Sequence, residues 1–67
     1  MENYMLVFRN RILDAVMVSK DRKEIEASTT YQTVIKIIDN YLIDEIEPSI
    51  LELSVLSFIA EYYEGLS

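Results

Sequence analysis

Residues 48–65 read PSILELSVLSFIAEYYEG, beginning at the only proline and ending at the only glycine of the chain. Ser49 and Glu52 are spaced as a capping box, in which each side chain accepts a hydrogen bond from the backbone amide of the other. Pro48 ends any preceding helix because it lacks an amide donor and disfavours a helical residue before it. Gly65 can adopt the left-handed conformation that terminates a helix. The run therefore predicts a single helix.

The rest of the chain has the pattern of two further helices. Apolar residues recur every three or four positions, and a single glycine and a single proline leave little turn chemistry for hairpins. We expect helices at about 3–25, 30–46 and 50–64, the second opening with a box-like Thr29 and Gln32 pair. The predicted fold is all-α, a small antiparallel three-helix bundle or helical hairpin that self-associates.

Residues 20–28 leave two alternatives for the end of the first helix. Asp21 and Glu24 could cap a new short helix, or the charged run could continue the first helix to about Ile25, and we expect continuation. The stripe of the first helix expected to face the core consists of Met5, Phe8, Ile12, Ala15 and Val16. On the second helix, apolar residues cover about half the circumference, namely Tyr31, Val34, Ile35, Ile37, Ile38, Tyr41, Leu42 and Ile46.

Composition excludes several classes of function. The chain has no His and no Cys, so the usual zinc ligands, catalytic bases and nucleophiles are missing. A single glycine also excludes a glycine-rich phosphate loop. We therefore predict no catalytic residue, no cofactor and no metal site. The acids between the second and third helices could bind Mg²⁺ or Ca²⁺ through oxygen, but a solvated turn is the expected interpretation; they are Asp44, Glu45, Glu47 and Glu52.

The charge of the chain is negative and unevenly distributed. The net charge is −6, and no Lys or Arg follows Lys36. Because this charge repels phosphate backbones and anionic headgroups, we expect no direct binding of nucleic acid and no membrane binding. No apolar run is long enough to span a bilayer, and no secretion signal is visible, so we expect a soluble, cytoplasmic protein.

The last predicted helix has more apolar circumference than one small chain can bury. Its polar side chains Ser54, Ser57, Glu61 and Glu64 occupy about 100° of arc, and apolar side chains take about 220°. Three large side chains left in water would each forgo about 1.5 to 3 kcal/mol, a total comparable to the whole stability of so small a domain. For Tyr62 and Tyr63, the alternative to a binding surface is a place in the core with the hydroxyl at its edge. The predicted protein-binding surface consists of Leu51, Val55, Phe58, Ile59, Tyr62 and Tyr63.

Three functions fit these properties. The first is a small acidic protein-interaction module that binds and regulates a larger protein and acts as a homo-oligomer, most simply a symmetric dimer. The second is a purely structural oligomerisation unit whose only partner is itself. The third is an acidic mimic of nucleic acid that blocks a DNA-binding protein, motivated by the acids after Lys36. We rank it last, because those acids are interleaved with apolar positions.

Overall fold

The computed structural model describes residues 3–66, which form four α-helices and no strand. In chain order these are α1 (Tyr4–Met17), α2 (Arg22–Ala27), α3 (Thr29–Ile43) and α4 (Ile50–Gly65). The prediction of an all-α helical bundle is confirmed, with one short helix more than expected. In the described range, none of these helices is long and apolar enough to cross a lipid bilayer.

α1 lies at the centre of the fold and packs against both α3 and α4. Its fully buried Ile12 and Val16 share one core with Ile38 from α3 and Ala60 from α4. The apolar stripe predicted for the first helix is confirmed, because four of its members are buried and Phe8 packs against the core. The buried core comprises Met5, Ile12, Ala15, Val16, Tyr31, Ile38, Leu56, Ala60 and Tyr63.

The chain leaves the helical path after Met17, so the expected continuation of the first helix to Ile25 is wrong. Ser19 is buried, and its hydroxyl accepts a hydrogen bond from the Asp21 amide at 3.2 Å. The Ser19 amide donates to the Val16 carbonyl at 3.1 Å, which tightens the last turn. These local bonds give the backbone an alternative to the helical ladder. The new short helix α2 then follows Asp21, although the Asp21 side chain makes no capping hydrogen bond.

The caps predicted for the later helices are confirmed in one case and displaced in the other. In α4 both bonds of the capping box are present, with Glu52 accepting from the Ser49 amide at 2.9 Å and Ser49 accepting from the Glu52 amide at 3.1 Å. In α3 the N-cap is Ser28 rather than Thr29, and the Ser28 hydroxyl accepts from the Tyr31 amide at 3.2 Å. Each cap satisfies an amide that a helix start leaves without an intrahelical partner.

The helix ends depend on backbone conformation that the residue types did not indicate. α3 stops at Ile43, three residues before the predicted end, because Glu45 adopts a left-handed conformation with φ 53°. The Ile46 amide then donates to the Tyr41 carbonyl at 3.0 Å, which is the long hydrogen bond of a Schellman ending. Gly65 is the last residue of α4 and does not have a positive φ, so its expected left-handed role is wrong.

Candidate protein-binding surface

Four of the six side chains predicted to bind protein form one exposed row along α4. Their spacing of four, three and four residues returns each side chain to the same side of the helix at about 100° per residue. No element within residues 3–66 covers this row. We call it the ridge; it consists of Leu51 (74% exposed), Val55 (50%), Phe58 (73%) and Tyr62 (62%).

The other two predicted contact residues lie elsewhere on α4. Ile59 is half-buried and faces the gap between α3 and α4. Tyr63 is 4% exposed and belongs to the core, where its ring meets Tyr31 edge-on with centroids 5.7 Å apart. Tyr62 packs edge-on against Tyr63 at 5.3 Å but stays at the surface. The core alternative therefore holds for Tyr63 and not for Tyr62.

An apolar groove runs between α3 and α4 beside the ridge. α1 packs against both helices, but within residues 3–66 no Cα atom of α3 lies within 8 Å of one in α4. The gap holds a solvent-open cavity of about 270 Å³. Its lining, which we call the groove, comprises Met5 from α1, Val34, Ile37 and Tyr41 from α3, and Leu51, Glu52, Val55, Leu56 and Ile59 from α4.

The two ends of the groove are built differently. At one end, the edge-on rings of Tyr31 and Tyr63 bridge α3 and α4. At the other end, residues 44–49 connect the two helices. The buried side chains of Met5 and Leu56 form the floor. The groove is therefore a short trough that is bounded by protein at both ends and open along its outer side.

The charged residues around the groove are acidic. Glu52 belongs to its lining. The 44–49 connection at one end of the groove carries three exposed acids, of which Glu45 and Glu47 line a neighbouring pocket that shares Met5 and Tyr41 with the groove. Lys36, the last cation of the sequence, lies about 160° from Val34 around α3. The groove therefore combines an apolar interior with a negative edge.

Two acids that follow Lys36 in the sequence are paired with arginines of α1. Arg9 donates to Asp39 at 2.7 Å, and Arg11 donates two hydrogen bonds to Glu64 at 2.6 and 3.1 Å. The hydrogen bonds from Arg11 lower the pKa of the Glu64 carboxyl, and the same contact raises the pKa of Arg11. Two of the acids that follow the last cation of the sequence are therefore neutralised within the chain, because helix packing brings distant residues together.

The site is built from apolar side chains and phenols. Burial raises the pKa of the Tyr31 and Tyr63 phenols above the ordinary tyrosine value, so both stay uncharged to a higher pH than an exposed tyrosine. Among the acids of residues 3–66, no group of three is placed to hold a metal ion. A surface of this kind can bury apolar side chains of another polypeptide and exclude water from them.

The α3 wall of the groove was not among the predicted contact residues. Val34, Ile37 and Tyr41 were predicted on the apolar face of the second helix, but not as a contact surface. The available signal was the width of that face, since Ile37 lies at its edge and is 48% exposed.

Comparison of the chain with protein-family models, with curated proteins and with solved structures found no match.

Proposed function

We propose that the protein is a small acidic interaction module that associates with itself as a dimer and binds and regulates a larger protein. The observation that carries the proposal is the ridge, four large apolar side chains in one row that are each at least half exposed in the single chain. Full burial of such a side chain is worth about 1.5 to 3 kcal/mol. A core of this size supplies only about 3 to 5 kcal/mol, so covering the ridge would change the stability of the chain substantially.

The spacing along the ridge suits a symmetric pair of α4 helices. Intervals of four, three and four residues are the same in both directions, so a two-fold axis at the midpoint matches one ridge to another. This axis sets Leu51 of one copy beside Tyr62 of the second copy, and Val55 beside Phe58. At each level a ring faces a smaller aliphatic side chain, which allows the two rows to interdigitate.

The acids that flank the ridge are compatible with this antiparallel arrangement. At about 100° per residue, Glu52 and Ile59 flank one side of the ridge, and Ser54 and Glu61 flank the other. In the antiparallel pair, Glu52 faces Ile59 of the second copy, and Ser54 faces Glu61. No two carboxylates of these positions therefore stand directly opposite each other.

The groove favours a further protein partner over a purely structural role. Pairing of two ridges leaves the α3 wall of the groove uncovered, so a dimer still presents apolar surface. Mimicry of nucleic acid has less support, because Asp39 and Glu64 are already paired with arginines within the chain.

Sedimentation equilibrium of the full chain tests the dimer. At micromolar to millimolar concentrations we expect twice the 7.8 kDa of one chain. Phe58→Asp should sediment as a monomer with unchanged helical circular dichroism, because a carboxylate in the apolar contact is left without a hydrogen-bonding partner. The matched control is Ile43→Asp, which places the same charge at an equally exposed aliphatic position off the ridge and should remain dimeric.

Glu61→Lys is a second control, because it changes a charge beside the ridge and leaves the apolar row intact. This variant should also remain dimeric. The proposed dimer is contradicted by a wild-type chain that stays monomeric at millimolar concentration, or by a Phe58→Asp chain that dimerises as the wild type does.

A further inference from the structure

The groove between α3 and α4 has the shape that a fourth long helix occupies in a bundle. Tyr31 meets Tyr63 at one end, and Tyr41 and Leu51 line the other, so the two helices run antiparallel. α1 covers the gap from one side only, and a helix laid in it from the other side would contact both walls. From Val34 to Tyr41 the α3 wall rises about 10 Å. This length matches a guest helix with apolar side chains at positions i, i+4 and i+7.

The charge around the groove selects the chemistry of that helix. Glu52 is in the lining, Glu45 and Glu47 line the pocket next to it, and the chain as a whole carries a net charge of −6. A second copy in the groove would bring further acids against this edge, whereas Lys and Arg would be attracted to it. We infer that the groove binds an amphipathic helix of another protein, with an apolar stripe flanked by Lys and Arg.

This inference rests on the proposed function but depends on different residues from the dimer. Ile37 lines the groove and is not part of the ridge, and Phe58 belongs to the ridge and does not line the groove. Leu51 and Val55 belong to both surfaces. The cationic helix and the second copy therefore compete for one shared edge, and the helix binds more tightly to a chain that cannot dimerise.

Fluorescence titration with a synthetic peptide measures the binding directly, because the protein contains no Trp. The probe is a peptide of about four helical turns, with Leu at i and i+7, Trp at i+4 and Lys at the flanking positions. The control peptide carries Glu in place of each Lys. We expect a saturable blue shift of the Trp emission with the Lys peptide, weaker binding as salt is raised, and no binding of the Glu peptide.

Ile37→Asp tests whether the peptide lies in the groove. We expect this variant to weaken binding about tenfold or more, although its added negative charge would strengthen a non-specific attraction for the cationic peptide. Ile43→Asp places the same charge on α3 outside the groove and should bind as the wild type does. Phe58→Asp should lose the dimer and bind the Lys peptide at least as tightly as the wild type.

The groove inference and the dimer fail in different experiments. No saturable binding of the Lys peptide, equal binding of the Glu peptide, or undiminished binding by Ile37→Asp would overturn the inference. If the Ile37→Asp chain sediments as a monomer while the wild-type chain sediments as a dimer, the second copy occupies the groove and the inference is wrong. If the wild-type chain binds the peptide in the groove but sediments as a monomer, the groove inference stands and the proposed dimer is contradicted.

Discussion

α4 carries two apolar rows that lie about 140° apart around the helix, and residues 3–66 cover one of them and leave the other exposed. Leu56, Ala60 and Tyr63 are at most 7% exposed, whereas every ridge residue is at least 50% exposed. Each row contains a leucine and a tyrosine, so composition does not distinguish them. The difference comes from the position of α1, which packs against one side of α4 and leaves the other open. The apolar character of a helix face thus indicates that it favours burial, but not which element covers it.

The largest effect is expected from making the same substitution in each row. Leu56→Ala should lower the free energy of unfolding by about 2 to 5 kcal/mol, because it removes buried contacts and leaves a cavity. Leu51→Ala should cost less than about 1 kcal/mol in the monomeric Phe58→Asp background, because Leu51 is mostly exposed there. Urea unfolding followed by circular dichroism measures both. Equal losses at the two positions would show that the two rows are not covered differently.

The buried end of the covered row should make the fold sensitive to alkali. Burial raises the pKa of Tyr63 and of its neighbour Tyr31, so the folded state binds these protons more tightly than the unfolded state. Their contribution to stability is complete below the ordinary tyrosine pKa of about 10 and is lost as pH rises through the folded-state values. Spectrophotometric titration at alkaline pH should show late phenols, which are tyrosine hydroxyls that ionise at a higher pH than an exposed tyrosine. Tyr63→Phe should remove one of these late phenols. Loss of a phenol that ionises near the ordinary tyrosine pKa, with the late ones unchanged, would place Tyr63 in solvent.

The ion pair that joins this end of α4 to α1 should make a smaller, acid-sensitive contribution. The hydrogen bonds from Arg11 lower the folded-state pKa of Glu64, so the contribution is present above the unfolded-state pKa and is lost as pH falls through the folded-state value. Glu64→Gln should therefore reduce stability at neutral pH and have less effect in acid. Glu61→Gln is the control, since Glu61 acts on Arg11 through its charge alone. A deficit in Glu64→Gln that is the same at both pH values would contradict this account of the pair.

The smallest effect is expected in the connection between the two helices that form the groove. Glu45 has φ 53°, a conformation that costs a residue with a Cβ more than it costs glycine. Glu45→Gly should leave both rows in place and raise the free energy of unfolding by about 1 kcal/mol or less. Chemical denaturation measures this gain. A clear loss of stability would mean that the left-handed ending of α3 is not strained.

The parts of the fold that could be predicted are those with local causes. The capping box of Ser49 and Glu52 fixed the start of α4, and the apolar periodicity identified the faces of α1, α3 and α4. The break after Met17 was one of two alternatives that the sequence left open, and local signals could not decide between them. Ser19 is buried at the break, and burial is a tertiary property. The left-handed Glu45 was equally hidden, since glutamate has no preference for that conformation.

The candidate site was predictable in part for the same reason. The width of the apolar face on α4 indicated the ridge, but it could not separate Tyr62 from Tyr63, which lie side by side on the helix and differ only in what packs on them. The groove needs two helices at a particular distance, so no periodicity within one helix reveals it. The pairing of Arg11 with Glu64 joins residues far apart in sequence and was invisible for the same reason.

Isotope-filtered NMR on a mixture of labelled and unlabelled chains tests most directly whether a second copy of the chain covers the ridge. We predict cross-peaks between the Leu51 methyl groups of one copy and the Tyr62 ring of the second copy, and none in the Phe58→Asp chain. Intermolecular cross-peaks that involve no ridge residue, or the absence of intermolecular cross-peaks at millimolar concentration, would contradict the proposed pairing of two ridges.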